Sequence, residues 1–127
     1  IRDPSTVEFR IYTLDDDRLI GFVALHSLEW NNRAARLVIG IGEPEYRGRG
    51  YGSDALRLVL RYAFRELNLE RVGLNVNGNN ARAIRAYEKV GFRHEGAMRR
   101  ALRRDGQWQD RIIMGILYDE WKSGENG

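Results

Sequence analysis

The chain has 127 residues, 43% of them hydrophobic, and 21 Lys and Arg against 18 Asp and Glu give a net charge of +3. That length and apolar content fit one domain with a packed core and exclude a disordered composition. The lack of cysteine excludes a disulfide framework, thiolate metal sites and a cysteine nucleophile, and so mild a positive charge permits an anionic ligand without demanding nucleic acid.

The positive charge is nearly all arginine, since Lys89 and Lys122 are the only lysines. Arginine suits bidentate contacts to phosphate or carboxylate, though a GC-rich genome produces the same bias. No apolar run approaches transmembrane length and no signal-like segment is visible. A cytoplasmic domain with no membrane or nucleic-acid partner is the expectation. Ile1 stands where a translation product carries Met, which predicts a missing upstream piece.

Val7, Phe9 and Ile11 alternate with polar residues and predict a first strand. The polar run Leu14 to Arg18 is a turn, Leu19 to Trp30 a second strand, and Ala35 to Gly42 a third. The run EPEYRGRGYGSDAL (Glu43 to Leu56) follows. After it the period changes. Leu56, Val59, Leu60, Ala63, Phe64 and Leu67 make one apolar helical stripe, with Ser53 or Asp54 as its cap. Arg71 to Asn77 is a short strand. Asn79 or Asn80 caps a second helix that Gly91 ends, and Phe92 begins another strand. Asp105-Gly106 is a hairpin signal, Gln109 to Leu117 the returning strand, and the Ser123 to Gly127 tail is frayed. The order β-β-β-α-β-α-β-β predicts an α/β (α+β) fold: a mixed, mostly antiparallel sheet with a central β-α-β crossover. Residues 1–127 form one domain.

Gly48, Gly50 and Gly52 at alternate positions let backbone approach a ligand, and a helix N-terminus adds amide donors and partial positive charge. Together they suit a pyrophosphate; an ordinary glycine-rich turn is the plainer reading. A P-loop is excluded, because no lysine precedes Ser53. The dinucleotide fingerprint is excluded by the glycine spacing.

Arg47-x-x-Gly50-x-Gly52, between a strand and an amphipathic helix, resembles the acetyl-coenzyme A loop of the GNAT superfamily of N-acetyltransferases. Two further segments agree with it: Asn80-x-x-Ala83-Ile84-x-x-Tyr87-Glu88-Lys89-x-Gly91-Phe92, and Glu95-Gly96 followed by Asp105-Gly106-Gln107-Trp108-x-Asp110. They are similar to the branch holding ribosomal-protein N-terminal acetyltransferases and spermidine N-acetyltransferases. The resemblance spans Phe9 to Trp121 and implies a GNAT-like fold lacking the usual N-terminal strand and helices.

What the resemblance implies is acetyl transfer from acetyl-coenzyme A to a primary amine by direct attack in a ternary complex, without a metal. Cofactor-binding candidates are Ile41, Gly42, Glu43, Arg47, Gly48, Arg49, Gly50, Tyr51, Gly52, Ser53, Asn80 and Tyr87. Tyr87 is the candidate proton donor to the leaving thiolate; its plainer role is in the core. The carbonyl oxygen needs a backbone donor at Ile41 to Glu43, where Gly40 and Gly42 predict a bulge or a close backbone approach. An alkylammonium with a pKa of about 10 must lose a proton before it attacks. Glu43 is the candidate base, with Glu29, His26 and a water relay as alternatives. Leu37 stands where polyamine enzymes of the family carry a glutamate. Asp110 is read as structural, and Arg99, Arg100, Arg103 and Arg104 as a solvated face. The acceptor is a small amine or a protein N-terminus, and a homodimer is compatible with the resemblance. Two other classes compete: a module that holds acetyl-coenzyme A with little or no catalysis, and a basic RNA-associated protein whose binding would fall steeply with salt.

Overall fold

The computed structural model describes residues 4–42, 46–47 and 50–126. Its strands are β1 (Val7–Tyr12), β2 (Leu19–Glu29), β3 (Ala34–Ile41), β4 (Arg71–Asn77), β5 (Arg93–Arg104) and β6 (Gln107–Leu117). Its α-helices are α1 (Tyr51–Arg61), α2 (Ala81–Lys89) and α3 (Tyr118–Asn126), and a π-helical turn, Tyr62–Glu66, prolongs α1. The strands make one six-stranded sheet in the order β1-β2-β3-β4-β6-β5. Every neighbouring pair is antiparallel except β3 and β4, which α1 joins as a parallel crossover. This is the mixed, mostly antiparallel sheet that the patterning predicts.

Strand alternation decides which residues become core. Val23, Leu25, Leu37, Val72, Leu74, Met114 and Ile116 join Leu56, Val59, Leu60, Ala63 and Phe64 from the α1 stripe, and Trp121 from α3. Leu25 and Val72 are fully buried, so truncating Leu25 to Ala costs about 2–5 kcal/mol. Helix α2 buries no residue fully; Ala83, Ile84 and Tyr87 lean on the same core.

Three local expectations are corrected. Helix α1 begins at Tyr51 with Gly50 as its cap, at φ 89°, and no side-chain cap bond. Ser53 and Asp54 therefore sit inside the first turn, where Asp54 accepts from Arg57 at 3.4 Å. The tail is helical through Asn126, because Glu120 Oε1 accepts from the Leu117 amide and Trp121 stacks on Phe64 with ring centres 5.3 Å apart. No bulge lies at Gly40 to Gly42. Pairing of β2 with β3 runs unbroken from Gly21↔Ile41 to His26↔Arg36, and the register shifts at the other end, between His26 and Glu29. Gly40 instead makes room for the Phe22 ring, which would stand 2.9 Å from a Cβ there.

The Asp105-Gly106 turn forms as predicted, with both residues at positive φ.

Candidate active site between parting strands

Parallel pairing between β3 and β4 stops after Ala34↔Arg71, Ala35↔Val72 and Arg36↔Gly73. Beyond it, Leu37 to Ile41 pairs with β2 alone and Leu74 to Asn77 with β6 alone, among the described residues. Two bonds fix which backbone groups look into the opening. The Gly42 amide donates to Ile20 O at 2.9 Å, and the Gly78 amide to Asp110 O at 2.8 Å. Peptide groups alternate in direction along a strand. Those of Ile39 and Ile41 on one side, and of Asn75 on the other, therefore turn toward the opening.

The amide of Gly42 is thus held by the sheet, so of the two described residues Ile41 and Gly42 the donor that faces the opening is Ile41. Its carbonyl accepts from Arg47 Nε at 2.9 Å. That folds Arg47 back onto the strand end, a use of its guanidinium the sequence did not suggest. Glu43, Gly48 and Arg49 lie outside the described residues. Among the described residues, chain neighbours and the helix's own backbone aside, no atom lies within 4 Å of where a Cβ on Gly50 or Gly52 would stand, so that side of the backbone is open to a ligand. Tyr51 is the first residue of α1, its ring edge on Tyr46 at 5.5 Å, and Ser53 follows in the same turn.

Helix α2 starts beside the end of β4. Asn80 is its N-cap, its Oδ1 accepting from the Ala83 amide at 3.2 Å. The cap uses the oxygen, and the side-chain nitrogen retains two donor hydrogens. About two α2 turns further, Tyr87 is half-buried with its ring edge against Phe92 at 5.8 Å. Burial raises its phenol pKa, so it stays protonated at neutral pH. A protonated phenol is the form that can donate to a thiolate.

Two alternative bases fall away on geometry. His26 pairs with Arg36 and Glu29 with Ala34, at the closed end of the sheet. Five residues of strand, about 17 Å, separate Arg36 from Ile41. His26 there contacts Ser27 at 3.0 Å and Glu29 accepts from Asn32 at 2.6 Å. Leu37 is buried among core residues. A groove of about 800 Å³ between β1 and α1 is lined by Phe9, Ile11, Leu58 and Tyr62 among others. It includes Tyr51 and none of the other predicted site residues. The opening, with its unpaired strand edges and bare glycines, is the better candidate for a pyrophosphate ligand. Among the described residues no three His, Asp or Glu side chains could hold a metal, and no helix is long and apolar enough to cross a membrane.

Parallel strands that part beside a glycine-capped helix define a class. The family description "Acetyltransferase (GNAT) domain" matches residues 2–93, and the chain belongs to the GNAT acetyltransferase family. It is 38% identical over 112 residues to "Probable N-acetyltransferase YjcK" of Bacillus subtilis (strain 168), covering 86% of this chain and 60% of that protein. It is 34% identical over 121 residues to the spermidine N(1)-acetyltransferase of Escherichia coli (strain K12), covering 95% and 63%. Among solved structures, spermidine N-acetyltransferase from Vibrio cholerae in complex with CoA and spermine superposes with a TM-score of 0.86 at 30% identity, covering 94% of this chain and 69% of that one. The chain spans about 60% of the length of YjcK and 63% of the E. coli relative.

Proposed function

We propose that this chain holds acetyl-coenzyme A between β3 and β4 and directs its acetyl group to a primary amine. The observation that carries the reading is the parting of two parallel strands after Arg36↔Gly73. It leaves strand peptide groups facing an opening with no neighbouring strand among the described residues, and a ligand that buries such groups must also bond them, because unsatisfied buried donors and acceptors are costly. An extended amide-bearing ligand satisfies them as a strand would.

The residues fit the coenzyme. Gly50 and Gly52 are bare at the start of α1, where amides and the helix dipole suit a pyrophosphate. The coenzyme supplies an acetyl group already activated as a thioester. Ile41 N–H donates to the oxygen on which charge develops. Tyr87 Oη holds a proton for the leaving sulfur, and its raised pKa keeps that proton in place until it is needed. Asn80 orients the ligand through its side-chain nitrogen. Glu43, one residue beyond Gly42, takes the proton of the incoming ammonium, directly or through water.

The relatives named for spermidine, and the neighbour bound to CoA and spermine, favour a small amine as acceptor. A protein N-terminus is the finer alternative. A cytoplasmic location and a homodimer belong to the same reading. The test is the mass of products formed from acetyl-coenzyme A and a mixed pool of amines and peptides. A gain of one acetyl group on an amine supports transfer. Coenzyme binding with no acetylated product would favour a binding module instead.

A further inference from the structure

The β5–β6 hairpin holds an irregularity that nothing above uses. Met98 pairs with Arg111 and Leu102 with Gln109, so Arg99 to Ala101 stand opposite Asp110 alone. Arg100 sits at φ 52°, a left-handed conformation uncommon for a residue other than glycine. Asp110 holds it: its Oδ1 accepts from the Arg100 amide at 3.0 Å. The same residue, through its carbonyl, accepts from the Gly78 amide at 2.8 Å. Gly78 stands two residues ahead of the Asn80 cap, and a Cβ there would meet Asp110 O at 3.1 Å. Asp110 therefore locks the bulge to the β4–α2 corner beside the opening. Bulges next to a site serve to re-aim side chains.

The side chains re-aimed here are two arginines. Arg99, Arg100 and Asp110 line an open notch of about 630 Å³. Among the described residues no carboxylate pairs with either guanidinium. Glu95, the hairpin's other strand carboxylate, is engaged by Arg71. From Arg93 to Leu117 the chain has six arginines against Glu95, Asp105 and Asp110, so the surplus on this hairpin alone matches the net charge of +3 of the whole chain.

Resting only on the transfer of acetyl to a primary amine proposed above, and departing from the small-amine acceptor that the relatives favour, we infer that Arg99 and Arg100 select the acceptor: a peptide N-terminus with carboxylates a few residues behind its amine. Reach supports a peptide. Across β4 and β6 the bulge is about two strand spacings, ~10 Å, from the opening. An extended peptide covers ~10 Å in about three residues at 3.3–3.6 Å each. A free amino acid is too short, and a polyamine brings positive charge to unpaired guanidiniums. The acidic turn at Asp15 to Asp17 lies beyond β1 and β2, at the Ile41 end of the sheet; it attracts an ammonium of either acceptor and does not discriminate.

The test compares kcat/KM for a tetrapeptide with glutamates at its second and third positions, its glutamine counterpart, free glutamate and spermidine. The acidic peptide is expected to exceed the glutamine peptide by on the order of tenfold at low salt, with the ratio falling toward one near 0.5 M salt. Arg99→Gln/Arg100→Gln should reduce that ratio to about one, while Arg104→Gln on the same hairpin keeps it. Equal use of both peptides, a preference for spermidine or free glutamate, or a ratio that survives the double substitution overturns the inference. Calorimetric binding of the two peptides to the protein saturated with CoA separates this from failure of the transfer reading. If nothing is acetylated, tighter binding of the acidic peptide that the double substitution abolishes still supports the arginine site, and charge-independent binding or none overturns it.

Discussion

Glu95 on β5 grips Arg71 on β4 across the bare backbone of Gly115 on β6. Both guanidinium nitrogens reach the carboxylate, Nη1 to Oε2 at 2.7 Å and Nη2 to Oε1. The strap crosses a whole strand, which is possible because the strand between has no side chain at that point. A Cβ on Gly115 would stand 2.6 Å from the Glu95 oxygens.

Gly115→Ala is therefore expected to push Glu95 aside and break the pair. The carboxylate is the far end of a flexible chain, so the cost is a partly exposed bidentate pair, about 0.5–1 kcal/mol, and not a collapse of the sheet. Denaturant unfolding of Gly115→Ala, Glu95→Ala and the double variant checks it. The two effects should overlap, with the double variant no worse than the poorer single one. Additive losses would mean that the methyl harms something else.

The same pair makes a pH prediction. Its hydrogen bond to Arg71 lowers the Glu95 pKa below its ordinary 4.5, and the Arg71 pKa rises out of reach of normal titration. A depressed carboxyl contributes stability that is present above the unfolded pKa and lost as pH falls through the folded one. The stability difference between wild type and Glu95→Gln should be constant above about pH 5 and shrink toward zero below the folded pKa. A difference that grows on acidification would contradict the sign.

Tyr87→Phe keeps the ring against Phe92 and removes only the hydroxyl. Loss of a positioned proton donor lowers kcat by about 10²-fold. Affinity for the coenzyme and thermal stability should change little. Unaltered kcat at neutral pH would return Tyr87 to the core.

Gly52 offers a clean separation of fold from ligand. It lies inside α1, and among the described residues, chain neighbours and the helix's own backbone aside, no atom lies within 4 Å of a prospective Cβ. Gly52→Ala should raise stability by up to ~1 kcal/mol, since Ala suits a helix and restricts the unfolded chain. The added methyl would meanwhile obstruct a close-lying pyrophosphate and weaken coenzyme binding several-fold. Paired melting and titration measurements read both effects.

Much of this was legible in the sequence because it is local. The stripe from Leu56 to Phe64, the Asn80 cap and the Asp105-Gly106 turn depend on neighbours within one helical turn or one hairpin. What could not be read depends on distant partners. The tail becomes α3 because Trp121 finds Phe64, a contact that overrides a Ser-Gly sequence of poor helix propensity. Gly40 pointed to a bulge or a close approach, and it is the second: it lies against the backbone of Gly21 and seats Phe22 from the next strand. The bulge at Arg99 to Ala101 has no glycine to announce it, and it becomes visible only when β5 and β6 are laid side by side. The family-matching residues Asn80, Tyr87 and Gly50 fell beside the opening or on the helices that frame it, but that two strands part there is a property of the whole sheet.

Three residue pairs stitch β3 to β4, so the sheet is two slabs with a short seam. Any molecule that lodges past the seam touches both slabs, and its affinity becomes cohesion of the fold itself. Recognition and mechanical weakness thus occupy one place. Evolution cannot zip the seam further to toughen this protein without also closing its mouth.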